Sequence, residues 1–305
     1  MRTATVACLT GAGTAPELMA EAVFALERVS RLHNVHLRET HAAFGAVART
    51  QTGHLVPTAT RDAVLAADAV LVAGEDEPAA FEELTRDLDL RAQATRVRFG
   101  HHDDVVVVAP RFADAARWTI EKAFELAERR TMRLTAVGDR DWVEAVDEVA
   151  AEHDHVRVEH VAPKVALPLA AFDASRLDVA VVAPAWAEAM EEIVAASAAA
   201  RVAAHALLAG HGPSIFIPSA DGGFSLAGAG VVNPSSMLLA AATMLDFGLG
   251  QPAAAATLAR AVSATLVDGP QTPDLLRRGI GATTREFTSR VVTAFQLTQP
   301  WGAAA

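Results

Sequence analysis

The chain contains no tyrosine, which excludes any mechanism that draws a phenolic proton donor from this polypeptide. Cysteine occurs once, as Cys8 in the apolar opening run 6–9. A disulfide within the chain is therefore impossible, and the thiol reads as structural and buried. Lysine occurs only at Lys122 and Lys164, so arginine carries nearly all the positive charge. A net charge of −11 without a basic cluster speaks against a nucleic-acid partner. No apolar stretch reaches membrane-spanning length without glycine or charge, so no membrane association is expected. Gly11 and Gly13 break the first apolar run too early for a secretory signal, and a cytoplasmic location is expected.

What is present is globular: 51% apolar and 21% charged residues in 305 positions, ample for a large core. Residues 3–9 read as a strand, followed by a Gly11/Gly13 turn and a helix over 18–29. The third glycine of a dinucleotide fingerprint is missing there. Residues 35–38 and 69–73 read as further strands, the second a continuous apolar run of the parallel-sheet kind. Strands over 105–109, 134–137 and 177–181 alternate with helices over 115–129 and 143–151. An Ala-rich helix is expected after Arg201, and helices again from Pro252 and Thr284. Such alternation argues for a doubly wound α/β sheet.

The most organised stretch is 216–245. A short apolar run, 215–217, enters a loop holding Gly222, Gly223, Gly228 and Gly230, and Asn233–Pro234 opens a long apolar segment. Strand, glycine-rich loop and helix follow in that order, and such a loop lets backbone N–H groups approach a ligand. A flexible crossover between domains fits the local pattern as well. Two readings are also open for Arg86, Arg91, Arg96 and Arg98: a bidentate grip on a carboxylate, or a solvated helix face. In His101–His102–Asp103–Asp104, adjacent side chains diverge, so a polar turn is favoured over a metal site.

Phe216, Pro218, Ala227, Gly228, Gly230, Asn233 and Pro234 resemble the adenosine-binding loop of the isocitrate and 3-isopropylmalate dehydrogenases. Gly11, Gly13, Pro16 and Glu17 resemble that family's opening motif, and Gly53, Pro57 and Thr60 a later one. The resemblance spans roughly residues 5 to 295. It implies an α/β, two-lobed fold with a central mixed sheet flanked by helices. The larger, nucleotide-binding-like lobe is expected over 1–100 with 216–305, and a smaller lobe carrying a homodimer interface over 101–215. The family implies NAD or NADP, Mg²⁺ and a small carboxylic acid as partners. Cofactor contacts would fall on Gly222, Gly223, Ser225 and Asn233, and substrate contacts on Arg91, Arg96, Arg98 and Arg111.

The chemistry of those positions is altered. Ala220 replaces the adenine-contacting His, Ser225 the ribose-binding Asp and Asp139 the proton-transfer Lys, with Asp141 at the neighbouring Asn. The hairpin arm with the catalytic Tyr is missing between 110 and 115. Lys164 falls on the first metal aspartate, and Glu188 and Glu192 on the other two. Mg²⁺ is thus expected to be absent, replaced by an intersubunit Lys164–Glu188/Glu192 cluster, and nucleotide binding is in doubt. Asp139, Asp141 and Lys164 are then the candidate catalytic groups. Three functions stay open: metal-independent chemistry on a small hydroxy or keto acid, a non-catalytic sensor or partner subunit, and an NAD(P)-dependent 2-hydroxy-acid oxidoreductase with a rearranged site.

Overall fold

The computed structural model describes residues 3–74, 77–99, 104–197, 202–219, 224–276 and 280–297. The chain forms two compact units, Met1–Leu88 with His211–Ala305, and Asp89–Gly210. Both are α/β, with sheet strands flanked by helices.

In the first unit the strands β1 (Ala4–Thr10), β2 (Leu37–Ala43), β3 (Ala69–Ala73) and β10 (Ser214–Pro218) run in the order β2-β1-β3-β10. All its recorded pairings are parallel, with Cys8 opposite both His41 and Leu71. β3 is buried at every residue, as its unbroken apolar run requires of a strand covered on both faces. Helices α1 (Ala15–Leu32), α2 (Gly45–Thr52), α3 (Thr58–Leu65), α4 (Pro78–Thr85), α9 (Ser235–Thr243), α10 (Pro252–Asp268) and α11 (Thr284–Leu297) belong to this unit. Pro16 and Pro252 stand in first turns, where a missing N–H costs nothing. Cys8 is fully buried, and desolvation pushes its thiol up to about 12. The native protein should not react with a water-soluble disulfide reagent at pH 8, and one thiol should appear on unfolding in guanidinium; absorbance of the released thiolate reads both.

The second unit contains β4 (Asp89–Arg98), β5 (Val105–Pro110), β6 (Arg133–Val137), β7 (Arg157–Val161), β8 (Val179–Val182) and β9 (Val202–His211), in the order β9-β4-β5-β8-β6-β7. β4 and β5 are antiparallel; β5–β8, β8–β6 and β6–β7 are parallel. The unit begins with β4, the antiparallel hairpin partner of β5. Helices α5 (Ala116–Glu128), α6 (Arg140–Ala150), α7 (Pro163–Asp173) and α8 (Ala187–Ser197) complete it. α7 and α8 cover one apolar face, with Val97, Val107, Val182, Ala166, Ala170, Met190 and Val194 in a single core cluster.

Two expectations are corrected here. The segment carrying Arg91, Arg96 and Arg98 is a strand, not a helix face. The Ala-rich stretch after Arg201 is β9 rather than a helix. Alanine's helix preference amounts to tenths of a kcal/mol per residue. Burial of Val202, Ala203, Ala204, Ala206 and Leu208 in the unit overrides it. Among the described residues, no helix is long and apolar enough to cross a membrane.

Candidate functional site

Two of the four candidate arginines meet at one end of the β4–β5 pair. The Arg111 backbone N–H donates to the Arg91 carbonyl at 2.9 Å, and Arg111 Nη1 reaches the Leu90 carbonyl at 3.4 Å. Arg91 Nε donates to both oxygens of Asp89, at 3.0 and 3.1 Å, which leaves its two terminal nitrogens without a partner among the described residues. A Cβ on Gly210 would lie 2.4 Å from Arg91 Nε and 2.6 Å from Asp89 Oδ2, so only glycine lets this pair lie across β9. Arg111 is partly buried, stacks on Phe112 with 5.5 Å from guanidinium carbon to ring centroid, and has no carboxylate partner among the described residues. Desolvation accordingly pushes its pKa down.

Arg96 and Arg98 lie elsewhere. Both are buried and ion-paired to Asp104, Arg96 through its Nε and Arg98 through Nη1 at 3.6 Å. Arg130 joins them, with Nη1 3.2 Å from Asp104 Oδ1 and Nη2 2.7 Å from Asp178 Oδ1. Burial alone would raise the Asp104 carboxyl, but Arg96, Arg130 and Arg98 hold it well below the usual carboxylate range. This is a structural ion network, and it gives the two arginines a carboxylate inside their own chain. His101, His102 and Asp103 lie outside the described residues.

On the opposite face of β4, a period of two aims Gln93 and Thr95 at α8. Gln93 Nε2 donates to Glu191 Oε1 at 2.9 Å and Thr95 Oγ1 to Glu191 Oε2 at 3.0 Å. Thr95 Oγ1 is also 3.0 Å from His205 Nδ1 on β9. Burial raises the Glu191 carboxyl, an effect reinforced by Glu188 and opposed by the bonds from Thr95 and Gln93; burial lowers His205. The hydroxyl can donate to an ionised Glu191 while accepting from His205 Nδ1–H. With Glu191 protonated, both bonds can reverse. Carboxyl, hydroxyl and imidazole thus form an acid–base line. As a charged residue beside Glu188 and Glu192, Glu191 would by default lie on a solvated helix face. The signal against it was its spacing from Ala187 and Val194, both buried, at i−4 and i+3.

Glu191→Gln should remove a pH dependence of stability. A carboxyl raised in the folded state stabilises most below its unfolded value, about 4.3, and loses that contribution as pH rises through the folded one. Urea midpoints between pH 4 and 8 should therefore rise for the variant relative to wild type as pH increases; parallel curves would reject the assignment.

The three candidate catalytic groups are not brought together by any hydrogen bond or ion pair among the described residues. Asp139 is the N-cap of α6, accepting from the Trp142 N–H at 3.2 Å, and Asp141 is exposed in that helix's first turn. The cap supplies the reason for an aspartate at 139: it satisfies an orphan N–H and suits the positive end of the helix. Lys164 is exposed in the first turn of α7, and Glu188 and Glu192 are exposed on α8; among the described residues of the single chain no ion pair joins them.

In the first unit, Glu17 Oε2 accepts from the Gly230 N–H at 3.0 Å, tying the opening motif to the glycine loop. Gly228 and Gly230 have φ of 76° and 64°, conformations that favour glycine. Asn233 is engaged on every side: its N–H with Asp274 at 2.8 Å, its Nδ2 with Thr272 at 2.9 Å, and its Oδ1 with the Ser235 N–H at 2.9 Å. That last bond closes an Asx turn across Pro234, directly before α9. Ser225 is exposed in a short 3₁₀ turn, while Gly222 and Gly223 lie outside the described residues. A cleft of about 280 Å³ opens at the carboxyl ends of β1 and β2, lined by Thr10, Gly11, Pro16, His41 and Val47.

Parallel strands with a cleft at their carboxyl ends, a glycine loop before a helix and a mixed-sheet second unit define a doubly wound α/β protein. More narrowly, the chain belongs to the isocitrate/isopropylmalate dehydrogenase family, whose model matches residues 92–291. It is 26% identical to a 3-isopropylmalate dehydrogenase of Lactococcus lactis subsp. lactis (strain IL1403), over 94% of this chain and 98% of the relative. A 3-isopropylmalate dehydrogenase of Synechococcus sp. (strain CC9605) is 28% identical, over 90% and 94%. Among solved structures, a β-decarboxylating dehydrogenase from Thermococcus kodakarensis in its apo form matches with a TM-score of 0.82 at 20% identity, covering 96% of both chains. Isocitrate dehydrogenase from Methylococcus capsulatus matches at 0.78 and 20%, covering 96% of this chain and 99% of the other. At these identities the structural matches establish the fold.

Proposed function

We propose that this family member binds a small hydroxy or keto acid through Arg111 and Arg91, and that Mg²⁺-dependent oxidative decarboxylation is not its chemistry. The carrying observation is Arg111, a partly buried guanidinium without an acidic partner among the described residues. A ligand carboxylate supplies the missing charge, and the adjacent Arg91 offers two unengaged N–H-bearing nitrogens for a second contact.

The metal of the family does not suit these residues. Mg²⁺ asks for hard oxygen donors in near-octahedral array. At the first of the three corresponding positions Lys164 contributes an ammonium, which donates no lone pair and repels a divalent ion. An intersubunit pairing of Lys164 with Glu188 and Glu192 in a homodimer is the arrangement we favour there. The nucleotide fits little better. Gly230 N–H and the polar groups of Asn233 already have partners in the chain, and Ser225 offers no carboxylate to a ribose. The acid–base groups we invoke are the partly buried Glu191 and His205, bridged by Thr95, so proton transfer without a metal is the reaction type we favour.

A thermal-shift panel of hydroxy and keto acids, NAD⁺, NADP⁺ and Mg²⁺ tests this reading, because a ligand that binds the folded state must raise its apparent stability. Stabilisation by an acid alone is expected. Stabilisation that requires nucleotide together with Mg²⁺, with reduction of the nucleotide at 340 nm, would overturn it. Binding without turnover of any panel acid would leave the chain a sensor or partner subunit.

A further inference from the structure

We propose a transition-metal site in the second unit, formed by Glu128, His153 and His155 and suited to a divalent ion of the zinc class. Glu128 ends α5, and the two histidines lie in the turn between α6 and β7. Their ligand atoms all lie within 4.8 Å of one another. Glu128 Oε1 is 2.6 Å from His153 Nδ1 and 3.0 Å from His155 Nε2, so both imidazoles turn a nitrogen toward the same point.

The surroundings hold that geometry. The His153 ring stacks on Phe124 with centroids 4.8 Å apart and planes 17° from parallel. Its backbone is fixed on both sides, its N–H donating to the Ala150 carbonyl at 3.0 Å and its carbonyl accepting from the Val156 N–H at 2.9 Å. The other nitrogen of His155, Nδ1, faces Asp154 Oδ1 at 3.6 Å. At that distance the exposed carboxylate is an electrostatic neighbour of the imidazole rather than a hydrogen-bonded outer support.

Two imidazoles and a carboxylate suit zinc, cobalt, nickel or copper rather than magnesium or calcium. Metal–ligand bonds of about 2.0–2.1 Å place tetrahedral ligand atoms roughly 3.3 Å apart. For an ion to enter, the Glu128 carboxylate has to draw back from His153, and the two imidazole nitrogens, which lie within 4.8 Å of each other, have to settle at that spacing; the Glu128 side chain, at 29% exposure, has room to move. His155, at 53%, leaves the remaining coordination positions to water. An ion there fastens the end of α5 to the α6–β7 turn. Glu188 and Glu192 take no part, so the site stands apart from the function proposed above.

The test is calorimetric titration of the untagged full chain with Zn²⁺, paired with the visible spectrum of the Co²⁺-loaded protein. One ion per chain and an intense tetrahedral cobalt band are expected. His155→Ala and Glu128→Gln, neither at a buried position, should each weaken binding by at least the ~10–100-fold that loss of an outer partner costs. His153→Ala should do the same if it folds. The Glu188→Gln/Glu192→Gln double variant should bind like wild type. No uptake of Zn²⁺ at micromolar protein and metal, or uptake that survives His155→Ala and Glu128→Gln, would overturn the proposal.

Discussion

Asp104→Asn should lower the unfolding free energy by about 3–5 kcal/mol at pH 7, the usual cost of removing one partner from a buried ion pair. Asp104 stands among Arg96, Arg98 and Arg130, whose side chains are 4%, 8% and 15% exposed. Amide nitrogen in place of carboxylate oxygen removes the charge that the three guanidinium groups share, while Arg130 keeps its second pair, with Asp178. The pH dependence carries a definite sign. A carboxyl depressed in the folded state contributes its full stabilisation above the unfolded value, about 3.9, and loses it as pH falls toward the folded one. The gap between wild type and variant should therefore be constant from pH 5 to 8 and narrow only in stronger acid. Glu144→Gln is the contrasting control, since its pair with Arg140 is 60% and 89% exposed, and such pairs contribute little. Urea unfolding at several pH values measures both. Equal, small effects would mean that the network does not hold the unit together.

The contrast between this network and the Arg91–Arg111 end of the same hairpin shows what the sequence makes legible. β3 was readable because five apolar residues in a row have few alternatives, and the strand–loop–helix order around residues 215–245 because its glycines and Asn233–Pro234 punctuate it. The pattern of β4 was written in DLRAQATRVR as polar–apolar alternation, but its three arginines, with Arg86 before them, left a helical-surface reading open. Once β4 is a strand, Thr95 and Arg96 must face opposite ways. That parity separates an arginine held by Asp104 from a threonine held by Glu191, two neighbours in sequence with unrelated partners. β9 was illegible for a different reason: alanine's preference is weak, and the sheet that overrides it is built from distant segments. The carboxylate partners of Arg96 and the cap at Asp139 were equally hidden, because a residue type says what a side chain can bond and not which neighbour the fold brings to it.

Arg111→Gln should weaken binding of the best acid in the panel by roughly 10–150-fold, the equivalent of about 1.5–3 kcal/mol for a hydrogen bond to a charged group. The same substitution should leave the ligand-free protein as stable as wild type or slightly more so. Both expectations have one cause. Burial works against the Arg111 charge, no acidic side chain among the described residues offsets it, and its one direct bond is to the Leu90 carbonyl at 3.4 Å. A cation in that position is a cost to the folded chain until an anion arrives, as is common where activity needs a poorly satisfied group. Arg98→Gln should show the opposite split, losing stability through Asp104 while acid affinity stays within error. Calorimetric titration with the acid and urea unfolding without it distinguish the two. A destabilised Arg111→Gln protein with unchanged affinity would make Arg111 a structural residue and remove the ground for carboxylate binding at this end of the hairpin.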